Sequence, residues 1–251
     1  MFIDLHCHIE FFENDLHSVI SNAEKAGVGI IVASGICPES NRKVLEFSKK
    51  YKIIKPSLGV YPMDALEFEK NEKLDFNLDD EIAFIKKNKE KIFAIGEIGL
   101  DYKNGDEGKG QKKQFEKMIE LAKELDKPVI IHSRKSERDA IEILEKHGMK
   151  KVVMHCFSGK KSLLKRASDN GWYFSVPTSV VRASQYKMIA ELISISRLFC
   201  ETDSPFMSPF RNKWNEPAHV VESYKEIAKI KGFTLQETEK NIYMNWQRLF
   251  Q

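Results

Sequence analysis

The sequence has few cysteines, and they are not arranged for cross-linking. Its four cysteines (Cys7, Cys37, Cys156 and Cys200) are far apart and include no C-x-x-C pair. A small fold held together by disulfides needs a denser set of cysteines, so this class of protein is excluded. Widely spaced, reduced thiols are typical of the cytosol, and we expect a cytoplasmic protein.

Targeting signals and strong charge are also missing. The opening residues, MFIDLHCH, lack the basic start and apolar run of a secretory signal, and no apolar stretch is long enough to span a bilayer. Forty Lys and Arg against 37 Asp and Glu give a net charge of only +3. This balance is too even to indicate nucleic-acid binding, so any preference for anions must come from a local site.

What is present is the composition of a soluble globular protein, with 42% hydrophobic and 31% charged residues. A chain of 251 residues is long enough for one large domain or two small ones, and it matches the usual length of an α/β barrel. No linker, repeat or low-complexity tract divides it. We therefore expect a single domain, residues 1–251.

Short apolar segments alternate with longer amphipathic ones along the whole chain. The predicted strands are residues 2–6, 29–35, 53–60, 92–99, 128–133, 151–158, 173–177 and 198–205. The predicted helices are residues 16–26, 39–50, 79–90, 111–126, 136–147, 160–169, 183–194 and 218–231, with an extra C-terminal helix, 235–250, that opens on a capping-box pattern. The alternation predicts parallel strands in a (β/α)8 TIM barrel, and an open doubly wound sheet also fits it.

Histidines and carboxylates recur where the predicted strands end. In a barrel these ends meet at one mouth, and burying such groups together is costly unless something pairs them. A metal ion is the usual partner. The candidate ligands, from five strand ends, are His6, His8, Glu97, His132, His155 and Asp203.

Successive side chains of a strand face opposite sides, and this separates candidate ligands from other residues in the opening segment, IDLHCHIE. His6 and His8 share one face, while Cys7 points to the other as a buried apolar residue. By the same parity we expect Cys156 to be buried. Asp4 and Glu201 lie on the inner face and are candidates to orient the ligand histidines, and a polar pair that merely fills the barrel is an equally good interpretation.

A ligand set without thiolate fits a hydrolytic site that uses zinc, manganese or magnesium. Six ligands are too many for one catalytic ion with an open position, and they suit two divalent ions. Just beyond His132, Arg134 can form a fork with a phosphate or carboxylate, or it is simply a solvated surface arginine.

Several segments together resemble the TatD family of metal-dependent deoxyribonucleases. The matching segments are DLHCHIE, AIGEIGLDY, KPVIIHSR, HCFSG, ETDSPF and NEP, in the family's order over nearly the whole chain. The resemblance implies a barrel with two divalent ions. One ion would be held by His6, His8 and Asp203, and the other by His132 and His155, with Glu97 bridging them.

The resemblance also implies a reaction. The substrate would be DNA, the bond a phosphodiester, and the products those of trimming from a 3′ end, with single strands preferred. Asp203 would act as the general base for the attacking water, and Glu97 would be the second catalytic carboxylate.

The sequence departs from the family in one segment. The family usually has G-[IV]-H-P-H after the third strand, and here residues 59–63 read GVYPM. In the family these histidines lie on the substrate side of the cleft, so metal binding is expected to survive. Tyr61 can still donate to a phosphate oxygen or stack on a base. Arg211, in the loop FMSPFRNKWNEP, is a further candidate substrate contact, and the alternative is a loop packed by its own aromatic residues.

Three alternatives share parts of this pattern. A D-aminoacyl-tRNA deacylase, or another ester or amide hydrolase, would use the same dinuclear site, and GVYPM strengthens that possibility. A PHP-type phosphoesterase also begins with an H-x-H strand. A barrel that binds nucleic acid or a protein partner without catalysis would need no metal.

Overall fold

The computed structural model of the protein describes residues 1–70, 73–103 and 109–251. Every predicted strand is present, and the eight strands form one sheet in sequential order. The pairings resolved between neighbours are parallel. The strands are β1 (Phe2–Cys7), β2 (Val28–Ser34), β3 (Ile54–Leu58), β4 (Ala94–Asp101), β5 (Val129–Arg134), β6 (Val152–Met154), β7 (Tyr173–Pro177) and β8 (Leu198–Glu201).

Helices alternate with these strands. Within the described residues the α-helices are α1 (Leu16–Lys25), α2 (Pro38–Lys50), α3 (Met63–Lys70), α4 (Leu78–Lys87), α5 (Lys109–Glu124), α6 (Glu137–Lys146), α7 (Lys161–Asp169), α8 (Ser184–Leu192), α9 (Val220–Lys231) and α10 (Leu235–Phe250). Sequential strand order with a helix after each strand is the (β/α)8 TIM-barrel class, as predicted. The doubly wound alternative is wrong, because its strand order reverses at a switch point.

The extra C-terminal helix, α10, begins as predicted. The Thr234 hydroxyl oxygen accepts a hydrogen bond from the Glu237 backbone N–H at 3.1 Å, and the Glu237 carboxylate accepts one from the Thr234 backbone N–H at 2.8 Å. This reciprocal capping box satisfies two amides that the first helical turn leaves without partners.

Three local predictions are wrong, and one of them is the length of strand β8, which was predicted to reach residue 205 and ends at Glu201. Helix α3 was not predicted, although Pro62 directly before it suits a helix start and its carbonyl accepts from Leu66 N–H at 3.0 Å. Strand β6 is shorter than predicted and ends at Met154. Cys156, with φ of 42°, has left the extended conformation, so strand parity no longer governs it and its side chain is half-buried rather than buried.

The chain divides into two compact units. The first unit comprises Met1–Ala33, Phe47–Lys55 and Tyr173–Gln251, and the second comprises Ser34–Glu46 and Pro56–Trp172. The single-domain organisation stays a prediction. Among the described residues, no helix has both the length and the apolar character needed to cross a bilayer.

In the first unit, helices α9 and α10 cover β1 and β8. The buried Tyr224 hydroxyl accepts from the Ile3 backbone N–H at 2.9 Å and donates to the Ile3 carbonyl at 3.2 Å. The buried Asn245 side chain donates to the Leu198 carbonyl at 2.8 Å. These bonds satisfy backbone groups at the start of both strands and join the strands to α9 and α10.

In the second unit, α5 packs on β4, and the loop after β3 is held from two sides. The Asn41 side chain donates to the Gly59 carbonyl at 2.9 Å and accepts from its N–H at 3.2 Å. The Gln114 side chain, from α5, donates to the carbonyls of Val60 and Tyr61 at 3.0 and 2.9 Å. The segment GVYPM therefore has a fixed backbone.

Candidate metal centre

In the first unit, the loop after β8 lies against the end of β1. Cys7 and Ser204 form a parallel bridge. The His8 N–H donates to the Ser204 carbonyl at 2.8 Å, and the Asp203 N–H donates to the His6 carbonyl at 2.9 Å. Backbone pairing between the end of β1 and the loop after β8 thus brings the Asp203 side chain next to both histidines.

These three residues form the first trio, and their ligand atoms make a nearly regular triangle. His6 Nε2 and His8 Nε2 are 3.3 Å apart, and Asp203 Oδ1 is 3.5 Å from each. Ligands about 2.0–2.1 Å from a tetrahedral ion lie about 3.3–3.4 Å from one another. The triangle therefore has the size that a zinc-like ion requires, and the burial of both histidines excludes most competing water.

The backbone at the first trio is unusual. Asp203 has φ of 53°, in the left-handed region that aspartate tolerates better than most residues. The preceding residue, Thr202, is fixed by Asp4, whose carboxylate accepts from the Thr202 N–H at 2.8 Å and from its hydroxyl at 2.6 Å. Burial raises the pKa of Asp4 well above its usual range in spite of these bonds. Asp4 therefore positions Asp203 through the backbone.

The other predicted orienting residue, Glu201, is fully buried at the end of β8. Asp4 also accepts a hydrogen bond from the His6 backbone N–H at 3.4 Å, a contact with the backbone of this candidate ligand rather than with its imidazole ring. Orientation of the rings by Asp4 and Glu201 stays a prediction.

The second unit holds a second trio, Glu97, His132 and His155, contributed by β4, β5 and the residue after β6. Glu97 Oε1 lies 2.9 Å from His132 Nδ1 and 3.8 Å from His155 Nε2, and a ligand atom from each of the three lies within 4.8 Å of the others. All three side chains are mostly buried. One carboxylate and two imidazoles suit a divalent ion of the same kind as the first trio.

The carboxylate of Asp101, which was not identified from the sequence, lies next to His132 of the second trio. His132 Nε2 is 3.0 Å from Asp101 Oδ2, and the same oxygen accepts from the Tyr61 hydroxyl at 2.7 Å and from Arg134 Nε at 2.6 Å. Strand register explains the cluster, because Asp101 pairs with Arg134 and Gly99 with His132 across β4 and β5. Asp101 shares strand parity with Glu97, four residues earlier in AIGEIGLDY, and this signal could have identified it.

These contacts set the charges in the cluster. Burial alone would raise the pKa of Asp101, but hydrogen bonds from His132 and Arg134 outweigh burial and hold that pKa well below its usual range. Burial alone would lower the pKa of His132, but bonds to Asp101 and Glu97 raise it. His132 Nε2 keeps its proton for Asp101, so Nδ1, facing Glu97, is the nitrogen available to a metal ion.

The three predicted substrate contacts lie in different surroundings. Tyr61 is buried and bonded to Asp101, so its hydroxyl serves the ligand cluster. Arg134 is about one-third exposed (35%) while bonded to Asp101, so part of its guanidinium faces outward. Arg211, in the first unit, is exposed on the loop after β8. Their roles toward substrate stay predictions.

Arg134 also lines a groove of about 500 Å³ in the second unit, where α6 and α7 begin. Asp139, one of its acids, is paired with Lys112 at 2.6 Å. Glu137, the other, accepts from Ser158 at 2.7 Å. The cationic side chains in the lining are those of Arg134, Lys135, Arg138 and Lys160. The groove therefore suits an anionic chain.

Comparisons with known proteins agree with this chemistry. The chain is 32% identical to human deoxyribonuclease TATDN3, over 99% of this chain and 94% of the human protein. It is 36% identical to the uncharacterized metal-dependent hydrolase MJ1582 of Methanocaldococcus jannaschii, over 99% and 96% of the two chains. The crystal structure of YjjV, a TatD homologue from Escherichia coli, superposes with a TM-score of 0.90 at 27% identity, covering 99% of this chain and 97% of YjjV.

A family profile described as TatD related DNase matches residues 3–251. A match over this length excludes the PHP-type phosphoesterase and the non-catalytic binding barrel as alternatives. The protein is thus a metal-dependent hydrolase, and the chain belongs to the TatD-related DNase family.

Proposed function

We propose that this protein is a two-metal hydrolase that cleaves phosphodiester bonds of DNA, releasing nucleotides from the 3′ end of single strands. The observation that carries the proposal is the first trio, whose three ligand atoms stand 3.3–3.5 Å apart in a member of a DNase family. The second trio supplies a second set of donors. The bridging role of Glu97, the choice among zinc, manganese and magnesium, and the cytoplasmic location stay predictions.

Bound divalent ions would polarise the phosphoryl oxygen and lower the pKa of the attacking water. His6, His8, His132 and His155 would hold them as neutral imidazoles, with Glu97 and Asp203 as the charged ligands. The Asp203 side chain is 14% exposed, so its carboxylate can reach a water molecule and take its proton. Arg134, held by Asp101 and about one-third exposed, would place its positive charge near a non-bridging phosphate oxygen.

The test is a comparison of substrates on one metal-loaded preparation. A 5′-labelled single strand should shorten stepwise, while a 3′-labelled strand should release labelled mononucleotide at once. The Asp203→Asn variant, prepared in parallel, controls for contaminating nuclease. A protein that binds metal and leaves DNA intact, yet deacylates D-aminoacyl-tRNA, would replace this proposal with the deacylase.

Asp101→Asn is expected to weaken metal binding. An amide cannot accept the same three hydrogen bonds as the carboxylate, so His132 loses the partner that keeps its proton on Nε2. Removing such a supporting carboxylate typically lowers metal affinity by about 10- to 100-fold. Competition with a chromophoric chelator measures this, and Tyr61→Phe, which removes one donor but keeps the carboxylate, should have a smaller effect. Equal affinities in Asp101→Asn and the unaltered protein would contradict the assignment.

Lys160→Gln is expected to reduce the salt dependence of single-strand binding. Each phosphate neutralised on a single strand contributes about −0.7 to the slope of log affinity against log salt concentration, and removing the groove lysine should remove about that much. The matched control is Lys151→Gln, an exposed lysine paired with Asp126 at 2.8 Å and outside the groove. Identical slopes for the two variants would rule the groove out as a path for the strand.

A further inference from the structure

Two exposed phenylalanines flank a ligand of the first trio. The side chains of Phe11 and Phe206 are 53% and 51% exposed. Their ring centroids are 5.8 Å apart at 76°, and they lie 6.3 and 6.1 Å from the His8 ring. These contacts place an open aromatic surface directly beside the metal ligand His8.

Both rings are carried by backbone that the site itself fixes. Phe11 lies in the short 3-10 helix Ile9–Phe12 that follows β1, and its N–H donates to the His8 carbonyl at 3.3 Å. The Phe206 N–H donates to the Asp203 carbonyl at 2.8 Å. The next residue is held as well, because the Thr178 hydroxyl donates to the Met207 carbonyl at 2.9 Å. The rings are therefore held next to the ligands rather than carried on a free loop.

Leaving two such rings in water is unfavourable, and in a soluble protein a paired exposed aromatic surface indicates a binding site. We propose that Phe11 and Phe206 form a platform on which a nucleobase of single-stranded DNA stacks, with the adjoining phosphodiester at the first trio. This inference rests on the proposed function and gives it a structural basis for strand preference. Every base has a π face, but a base inside a duplex is already stacked, so the platform favours single strands without reading sequence.

The occupant follows from the position of the platform. The two rings lie 6.3 and 6.1 Å from the His8 ring, so a base stacked on them would adjoin a phosphate held at His6, His8 and Asp203. Arg211 and the 72%-exposed Trp214 lie further along the same loop, where they can contact the neighbouring nucleotides. A nucleobase therefore fits both the chemistry of the rings and the chemistry of the ligands they adjoin.

The experiment is a double-mutant cycle between protein and substrate. A fluorescein-labelled single strand with a phosphorothioate at its 3′-terminal linkage is bound to manganese-loaded protein and followed by anisotropy. A parallel series of strands carries an abasic residue at each 3′-terminal position in turn. Phe206→Ala and Phe11→Ala should weaken binding of the intact strand by roughly 5- to 150-fold, the range for losing one stacked base.

On the strand that lacks a base at the stacked position, the alanine substitutions should cause no further loss of binding affinity. Phe206→Trp should restore binding, and Phe233→Ala, which removes a 39%-exposed ring after α9 in the same unit, should leave it unchanged. Equal losses on intact and abasic strands would overturn the platform. So would Phe206→Ala converting a dimer to monomers, because a second copy of the chain would then be the occupant.

The two proposals fail separately. Coupling to the base without any DNA cleavage would keep the platform and reject the nuclease reaction. Cleavage of DNA without coupling would keep the reaction and reject the platform.

Discussion

Replacing Asp203 with asparagine is expected to lower kcat on DNA by roughly 1,000-fold or more. Under the proposed function, the substitution would remove a charged metal ligand and the group that takes the water proton, and loss of a general base alone costs about 100- to 10,000-fold. Asparagine is the right replacement because Asp203 has φ of 53°, a conformation that asparagine also adopts readily. Alanine at this position would add backbone strain to the chemical loss.

The measurement is the steady-state rate on a labelled single strand, together with metal content and thermal unfolding of the variant. A matched control exists elsewhere in the chain. Asp126 also has a positive φ, 50°, and its side chain is 86% exposed on a surface salt bridge with Lys151. Asp126→Asn should retain full activity. An Asp203→Asn variant within tenfold of the unaltered rate would remove this residue from the mechanism.

Gly99→Ala is expected to lower the free energy of unfolding more than any other glycine-to-alanine substitution near the site. Gly99 has φ of 146°, and a Cβ there would lie 1.9 Å from the His132 carbonyl oxygen and 2.9 Å from its carbonyl carbon. These are backbone atoms of a paired strand, so no side chain can move aside. Strain and overpacking each cost about 1–3 kcal/mol, together about 2–6 kcal/mol, which corresponds to a fall in Tm of roughly 4–24 °C.

Calorimetry or circular dichroism measures the Tm. Gly110→Ala is the control, because nothing lies within 4 Å of a Cβ at that glycine in α5. Gly110 lies in the first turn of α5, where alanine gains at most the roughly 0.5–1 kcal/mol that separates it from glycine in a helix interior, so the control should unfold at the same or a slightly higher temperature. A fall in Tm confined to Gly99→Ala would establish that the close approach of β4 to β5 at His132 is responsible. A Gly99→Ala protein as stable as the control would contradict this account of the strand pairing.

The sequence predicted the fold well where burial dominates. The eight strands were identified because parallel strands buried on both faces are short apolar runs. Helix α3 escaped because only eight residues form it and its apolar residues give a weak periodicity. Strand β6 was predicted too long because Val152 to Phe157 is apolar apart from His155, and only the backbone at Cys156, with φ of 42°, shows that the strand has already ended.

The same reasoning predicted side chains that the structure brings together within each trio, while their role as metal ligands stays a prediction. Asp101 was not predicted, because its importance depends on partners 31 to 40 residues away, at His132 and Tyr61. The role of Tyr61 changed for the same reason. From the sequence alone, the Tyr61 side chain could face substrate. Only the packing of the loop after β3 shows that its hydroxyl points toward a buried carboxylate.

The pairing of β1 with the loop after β8 has a consequence for the order in which the site forms during synthesis and folding. In the first trio, Asp203 follows His6 and His8 by 197 and 195 residues, so the carboxylate is synthesised long after the two histidines. Contacts across so long a stretch of chain form late, because the entropy of closing the loop must be overcome first. A nascent chain therefore carries the histidine pair without its carboxylate, and the first trio can form only after Asp203 has been added.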